Sequence, residues 1–175
     1  YRLPVCINMI AIDPAIRWSI PKTLWKRWKG QFGEADTVAL GRWNNEPAEV
    51  FFRINNLKNA HEEVVTSEVV ELIEKPKNFV RLKGDLPKGW LGNGLVYAQD
   101  PSTNLAIELL APRPGDSVLD ACAAPGGKTF AIASKMENSG EIAATDSSLP
   151  RLERLESNLE RLGIQIARLH QHDCD

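Results

Sequence analysis

Residues 118–129 read Val118-Leu119-Asp120-Ala121-Cys122-Ala123-Ala124-Pro125-Gly126-Gly127-Lys128-Thr129, an apolar strand that enters a Gly-Gly turn and leaves it as a helix. The residues after it repeat the alternation. A strand is predicted over residues 141–145, closed by Asp146, and Pro150 then sits in the first turn of a helix. Leu152, Leu155, Leu159 and Leu162 of that helix recur at spacings of three, four and three until Gly163 stops it. Residues 164–169 form a third strand. Strand, helix, strand, helix, strand dictates an open parallel α/β sheet of Rossmann-like kind, and the unbroken apolar run at 117–121 predicts a strand buried on both faces.

The preceding residues have a different character. Residues 21–32 place Leu24, Trp25, Trp28 and Phe32 on one helical face, read as core, with Lys22, Lys26, Arg27 and Lys29 largely elsewhere. A second helix is predicted over 34–43, a strand over 49–55, a helix over 59–74 ended by Pro76, and a strand over 78–82. A loop over 84–94 leads to a strand at 95–97 and a helix at 102–111, for which Leu105, Leu109 and Leu110 supply the apolar stripe. Residues 1–98 hold 14 Lys and Arg against 11 Asp and Glu, whereas residues 99–175 hold 7 against 12. All five tryptophans lie in the first part. Two domains are expected: a small α+β auxiliary module over 1–94 and a parallel-sheet domain over 95–175.

The Gly-Gly turn lets backbone approach a ligand without a Cβ in the way, and the helix behind it presents unpaired N–H groups. It is therefore a cradle for a nucleotide-like cofactor. A phosphate-binding P-loop requires glycine at the position that Cys122 occupies, and a dinucleotide turn requires a third glycine and a spacing absent from residues 125–130. S-adenosylmethionine remains. Asp146, 19 residues after Gly127, stands where a carboxylate would receive a ribose diol. An Asp there also serves a plainer purpose, capping the helix that begins near Ser148.

The run from Asp120 to Thr129, the upstream Tyr97-Ala98-Gln99-Asp100-Pro101-Ser102 and the downstream Asn158-Leu159-Glu160-Arg161-Leu162-Gly163 together resemble the RNA (cytosine-5) methyltransferases of the RsmB-like, Sun-type family. The resemblance covers nearly the whole chain, including residues 21–32 and 51–58, which are similar to the RNA-binding module preceding the catalytic domain in that family. It implies methylation of carbon-5 of cytosine in rRNA or tRNA. It also implies that Cys122, Ala123, Ala124, Pro125, Gly126, Gly127 and Lys128 line the S-adenosylmethionine site, that Asp146 holds the ribose and that Asp173 contacts the adenine, with Asp175 as a substitute for Asp173.

In that family a cysteine adds to carbon-6 of the base and a second assists product release, in Thr-Cys and Pro-Cys type motifs that this chain lacks. No catalytic residue is therefore expected within it. Three strands are also fewer than a sheet of this class needs, so the expectation is a truncated methyltransferase domain, inactive alone and prone to aggregate at its open edge. The basic residues Lys22, Lys26, Lys75, Lys77, Arg81 and Lys83 are the candidate RNA contacts. The alternating His170 and His172 with Asp173 and Cys174 are not read as a metal site, because alternate strand residues face opposite ways. Three irregularly spaced cysteines and no bilayer-length apolar run lead to the expectation of a reduced, cytoplasmic protein, monomeric as a whole. The competing reading is a non-catalytic RNA-binding or S-adenosylmethionine-binding scaffold.

Overall fold

A computed structural model of the chain describes residues 13–172, which fall into two compact units divided after Ala48. In the first unit, α1 (Pro14–Arg17) is capped by the Asp13 carboxylate, which accepts from the Ala15 N–H at 3.0 Å. Gly33 separates α2 (Lys22–Phe32) from α3 (Glu34–Trp43). Trp25 is buried as its spacing predicted, but Phe32 at the end of the same stripe is 46% exposed.

The second unit begins with a four-stranded antiparallel sheet in the order β2-β3-β1-β4, built from β1 (Phe51–Ile54), β2 (Val70–Leu72), β3 (Phe79–Leu82) and β4 (Val96–Ala98). The single helix predicted over 59–74 is instead the five-residue α4 (His61–Val65) followed by β2, with a short turn at Asn56–Lys58 ahead of it. The reason is local. Val69 and Val70 are β-branched and favour extended backbone, and Val70 pairs with Leu82 of β3. The sheet's own core gathers Phe52, Ile54, Val64, Val80, Trp90 and Val96. β4, which the expected boundary at residue 95 placed in the second domain, pairs with β1 in register Phe52↔Ala98 and Arg53↔Tyr97.

Next come α5 (Asn104–Leu110), β5 (Ser117–Asp120), α6 (Gly127–Lys135), β6 (Glu141–Asp146), α7 (Leu149–Leu162) and β7 (Ala167–Gln171). The three strands form a parallel sheet in the order β5-β6-β7, so the chain is α/β with the architecture read from its alternation. All four leucines of the predicted α7 stripe are buried, against Phe130, Ile132 and Met136 of the same core.

Two expectations fail here. β5 is not buried on both faces: Val118 packs on the core, while Leu119 points away from it and is 63% exposed. The α5 stripe is also reversed. Leu105, Leu109 and Leu110 are 63%, 88% and 51% exposed, and the helix is anchored by Ile107 and Asn104. An apolar stripe fixes which face wants burial, not whether a neighbour is there to bury it.

Gly94 bolts the antiparallel sheet to α7. Its φ of +69° suits glycine, and a Cβ at this position would stand 2.1 Å from the Arg161 carbonyl oxygen. The fully buried Asn55 amide donates both to the Gly94 carbonyl at 2.7 Å and to the Leu162 carbonyl at 2.9 Å.

Candidate functional site

The carboxyl ends of β5 and β6 lie side by side, with Asp120↔Ala144 the last matched pair of that ladder. Open α/β sheets bind ligands outside such strand ends. From β5 the chain passes through residues 121–126 into α6, and the turn is held from several directions. Thr129 donates its hydroxyl to the buried Asp120 carboxylate at 2.7 Å. Ala123 N–H donates to the Thr145 carbonyl at 2.9 Å, and the Thr145 hydroxyl to the Ala121 carbonyl at 3.2 Å, which stitches the turn to β6.

Every carbonyl from Ala121 to Gly127 accepts a hydrogen bond. Beyond the Thr145 contact, Lys128 Nζ reaches the Cys122 carbonyl at 3.2 Å, Gly126 N–H the Ala123 carbonyl at 2.8 Å, and Arg151 the Ala124 carbonyl at 2.7 Å. Asn158 Nδ2 and the Tyr97 hydroxyl converge on the Pro125 carbonyl at 2.8 and 3.5 Å. Phe130 N–H takes the Gly126 carbonyl at 2.8 Å, and Gln99 Nε2 takes the Gly127 carbonyl at 3.1 Å. With its acceptors taken, the turn offers donors. The N–H groups of Gly127, Lys128 and Thr129 lie ahead of the helix's own ladder, at the positive end of α6.

Gly126 has φ +113°, so the turn itself calls for glycine, and a Cβ there would also press on the Leu155 side-chain tip at 2.8 Å. Cys122, Pro125 and Lys128 are exposed at the surface of the turn, Gly127 is half-buried, and Ala123, Ala124 and Gly126 are buried beneath them. Cys122 carries a free, exposed thiol.

Asp146, at the end of β6, is 4% exposed. Its Oδ1 accepts from Ser148 N–H at 3.1 Å, closing a turn just ahead of α7 and not capping it, since Ser148 is the N-cap and no side chain caps the helix, and its Oδ2 lies 3.4 Å from Arg151. Arg151 thus joins the turn and the acid. Both of its contacts escaped the sequence reading, although a signal was present: a cation in the first turn of α7 opposes the helix dipole unless a carboxylate stands nearby. Tyr97 and Gln99 lie in the upstream motif and Asn158 in the downstream one, and the structure brings both motifs onto the turn. Asp173 lies outside the described residues.

The basic candidates separate. Lys22 pairs with Asp13 at 3.0 Å, and Lys26 shares its helix in the first unit. Arg81 is clasped between the Glu49 and Glu71 carboxylates, which hold its guanidinium even more firmly protonated than usual. Lys83 is exposed at the end of β3. Lys75 and Lys77 line a cavity of about 700 Å³ together with Arg53 and Lys135. Among the described residues no three His, Cys, Asp or Glu side chains gather into a metal-holding group, and no helix is long and apolar enough to cross a membrane.

Residues 107–175 match the family described as 16S rRNA methyltransferase RsmB/F. A probable ribosomal RNA small subunit methyltransferase B of Bacillus subtilis is 31% identical over 168 residues, covering 92% of this chain and 37% of that protein. The chain belongs to the RsmB-like, Sun-type family. A tRNA (cytosine(72)-C(5))-methyltransferase of Pyrococcus horikoshii is 42% identical to this RsmB-like chain over 81 residues, 46% of the chain and 21% of that protein. The solved structure of a methyltransferase homolog protein from Pyrococcus horikoshii superposes with a TM-score of 0.78 at 26% identity, covering 96% of the chain and 57% of that structure. The RsmB-like chain therefore spans well under half the length of these curated relatives.

Proposed function

We propose that this chain forms the S-adenosylmethionine-binding part of an RNA (cytosine-5) methyltransferase acting on rRNA or tRNA. The observation that carries the reading is the placement of the Gly126-Gly127 turn and the buried Asp146 carboxylate at neighbouring strand ends of one parallel sheet. The residues fit the cofactor chemically. A turn whose carbonyls are all occupied presents N–H donors to the amino-acid carboxylate of the cofactor's methionine end. Asp146 keeps acceptor capacity at Oδ2 for ribose hydroxyls, since Arg151 approaches it only at 3.4 Å. Cys122 to Lys128 form the floor and rim of this site, and Asp173 is assigned the adenine contact.

When bound, S-adenosylmethionine supplies an electrophilic methyl group. This chain's residues bind it and fix its orientation: Arg151, Asn158, Tyr97 and Gln99 hold the turn before any ligand arrives, which reduces the ordering cost of binding. Cytosine carbon-5 becomes nucleophilic only after a thiolate adds to carbon-6, and we assign that thiolate to a cysteine outside this chain. Cys122 belongs to the cofactor turn. Of the basic residues, Lys75 and Lys77 are best placed for RNA, with Lys22, Lys26 and Lys83 as outlying contacts. Arg81 already has two carboxylate partners.

Isothermal titration of S-adenosylmethionine into the chain and its Asp146→Ala variant tests the proposal. Measurable binding by the parent and its loss in the variant are expected. Equal affinity in both would remove Asp146 from the site, and 5-methylcytosine formed in RNA by the purified chain would place the nucleophile within it.

A further inference from the structure

The cavity lined by Arg53, Lys75, Lys77 and Lys135 has the electrostatics of an anion site. These four cations face a single carboxylate, Glu108, whose Oε1 is engaged by the Asn104 amide at 2.7 Å. Among the described residues none of the four forms an ion pair. Arg53 is the unusual member. It is 4% exposed, yet its Nε and one Nη donate to the neutral amide oxygens of Gln99 and Asn104, both at 2.8 Å, and its guanidinium lies over the Phe79 ring at 4.5 Å. Burial brings its pKa down to about 10, with the Glu108 charge working the other way. Buried charges are normally paired, because removing them from water costs more than neutral hydrogen bonds return. An anion bound here would complete the pairing.

The size and lining of the cavity narrow the class of ligand. A volume of about 700 Å³ suits a nucleotide-sized group rather than a lone ion. No aromatic side chain lines it, so it has no platform on which a base could stack. What the lining recognises is phosphate and sugar.

We propose that this cavity seats one nucleotide of the RNA strand by its phosphodiester backbone, with Lys75, Lys77 and Lys135 at the rim and Arg53 at the floor, independently of base identity. This rests on the reading of the chain as part of an RNA methyltransferase. It gives Arg53 a place between two ligands: its Nε holds Gln99, and Gln99 holds the Gly127 carbonyl of the cofactor turn.

Fluorescence anisotropy of a labelled single-stranded oligoribonucleotide, titrated with the full chain across a salt series, tests this. The Lys75→Glu/Lys135→Glu variant should bind at least tenfold more weakly at low salt. Its dependence of log K on log salt should be shallower by about 1.4, at about 0.7 for each phosphate no longer neutralised. The neutral Lys75→Gln/Lys135→Gln pair should show the same direction, and Arg154→Glu on α7 should change affinity less than twofold. Retained S-adenosylmethionine binding verifies that the variants are folded. Affinity and slope unchanged in both double variants would overturn the cavity assignment while leaving RNA binding intact. No RNA binding by the parent chain would instead bring down the RNA reading, and this site with it. Full displacement of the oligonucleotide by inorganic phosphate at constant ionic strength would show a small-anion site and also overturn the proposal.

Discussion

Asn158 in the middle of α7 donates its side-chain amide to the carbonyl of Pro125, 33 residues earlier in the chain, at 2.8 Å. A residue on the helix of buried leucines thereby holds the backbone of the Gly126-Gly127 turn. Asn158→Ala is expected to lower unfolding stability by about 1 kcal/mol, as for one lost hydrogen bond, measured by urea denaturation. S-adenosylmethionine affinity should fall by more than that stability loss alone explains, and Asn158→Asp, which cannot donate, should behave like the alanine variant.

Arg151 connects Ala124 and Asp146, so Arg151→Ala should weaken cofactor binding at both ends of the site. Arg151→Lys supplies one point charge in place of a fork and should recover only part of the affinity. Calorimetric affinities of the two variants equal to the parent's would separate Arg151 from the site.

Two glycines differ in what surrounds them. At Gly126 an added Cβ meets the flexible tip of Leu155, whereas at Gly94 it meets the Arg161 backbone carbonyl at 2.1 Å. Gly126→Ala is expected to cost about 1–3 kcal/mol, the usual range for strained positive φ. Gly94→Ala should cost distinctly more, because backbone cannot swing aside. Thermal unfolding of the two variants under one set of conditions compares them directly.

Leu109 is 88% exposed despite lying on the stripe that reads as the buried face of α5. Leu109→Glu should therefore leave stability within about 0.5 kcal/mol of the parent, the range for surface substitutions, as measured by urea denaturation. Ile107→Ala on the opposite side should cost about 2–5 kcal/mol.

Arg81 faces Glu49 and Glu71 on its two flanks. Arg81→Gln is expected to leave RNA affinity within twofold, in contrast to the lysines of the cavity. A tenfold loss in the same anisotropy assay would return Arg81 to the RNA surface.

Legibility followed the range of the interactions. The parallel sheet, α7 and the glycine turn were readable because each is written in local periodicity or in residues with one backbone use. The break of the 59–74 helix was not, since it depends on Val70 finding Leu82 across a strand. The orientation of α5 was missed for the same reason: Ile107 and Asn104 are chosen by what lies opposite them. At the site, Gly126, Gly127 and Asp146 were visible through spacing. Arg151 was not, and Gln99 and Asn158 were visible only as members of the flanking motifs and without a role, because a hydrogen bond to a distant backbone carbonyl leaves no pattern in its own neighbourhood.

The buried Asn55 amide, shared between the Gly94 and Leu162 carbonyls, has a mechanical meaning. It pins the end of β1, one residue beyond Ile54, to the last turn of the helix whose Asn158 holds the Gly126-Gly127 turn. The antiparallel strands and the parallel ones are thus built as a gauge rather than a hinge, with the offset between Arg53 and Gly127 set by packed backbone. Under the proposed reading, RNA seated at Arg53 would meet the Gly126-Gly127 turn at a separation that the protein sets and the ligand does not.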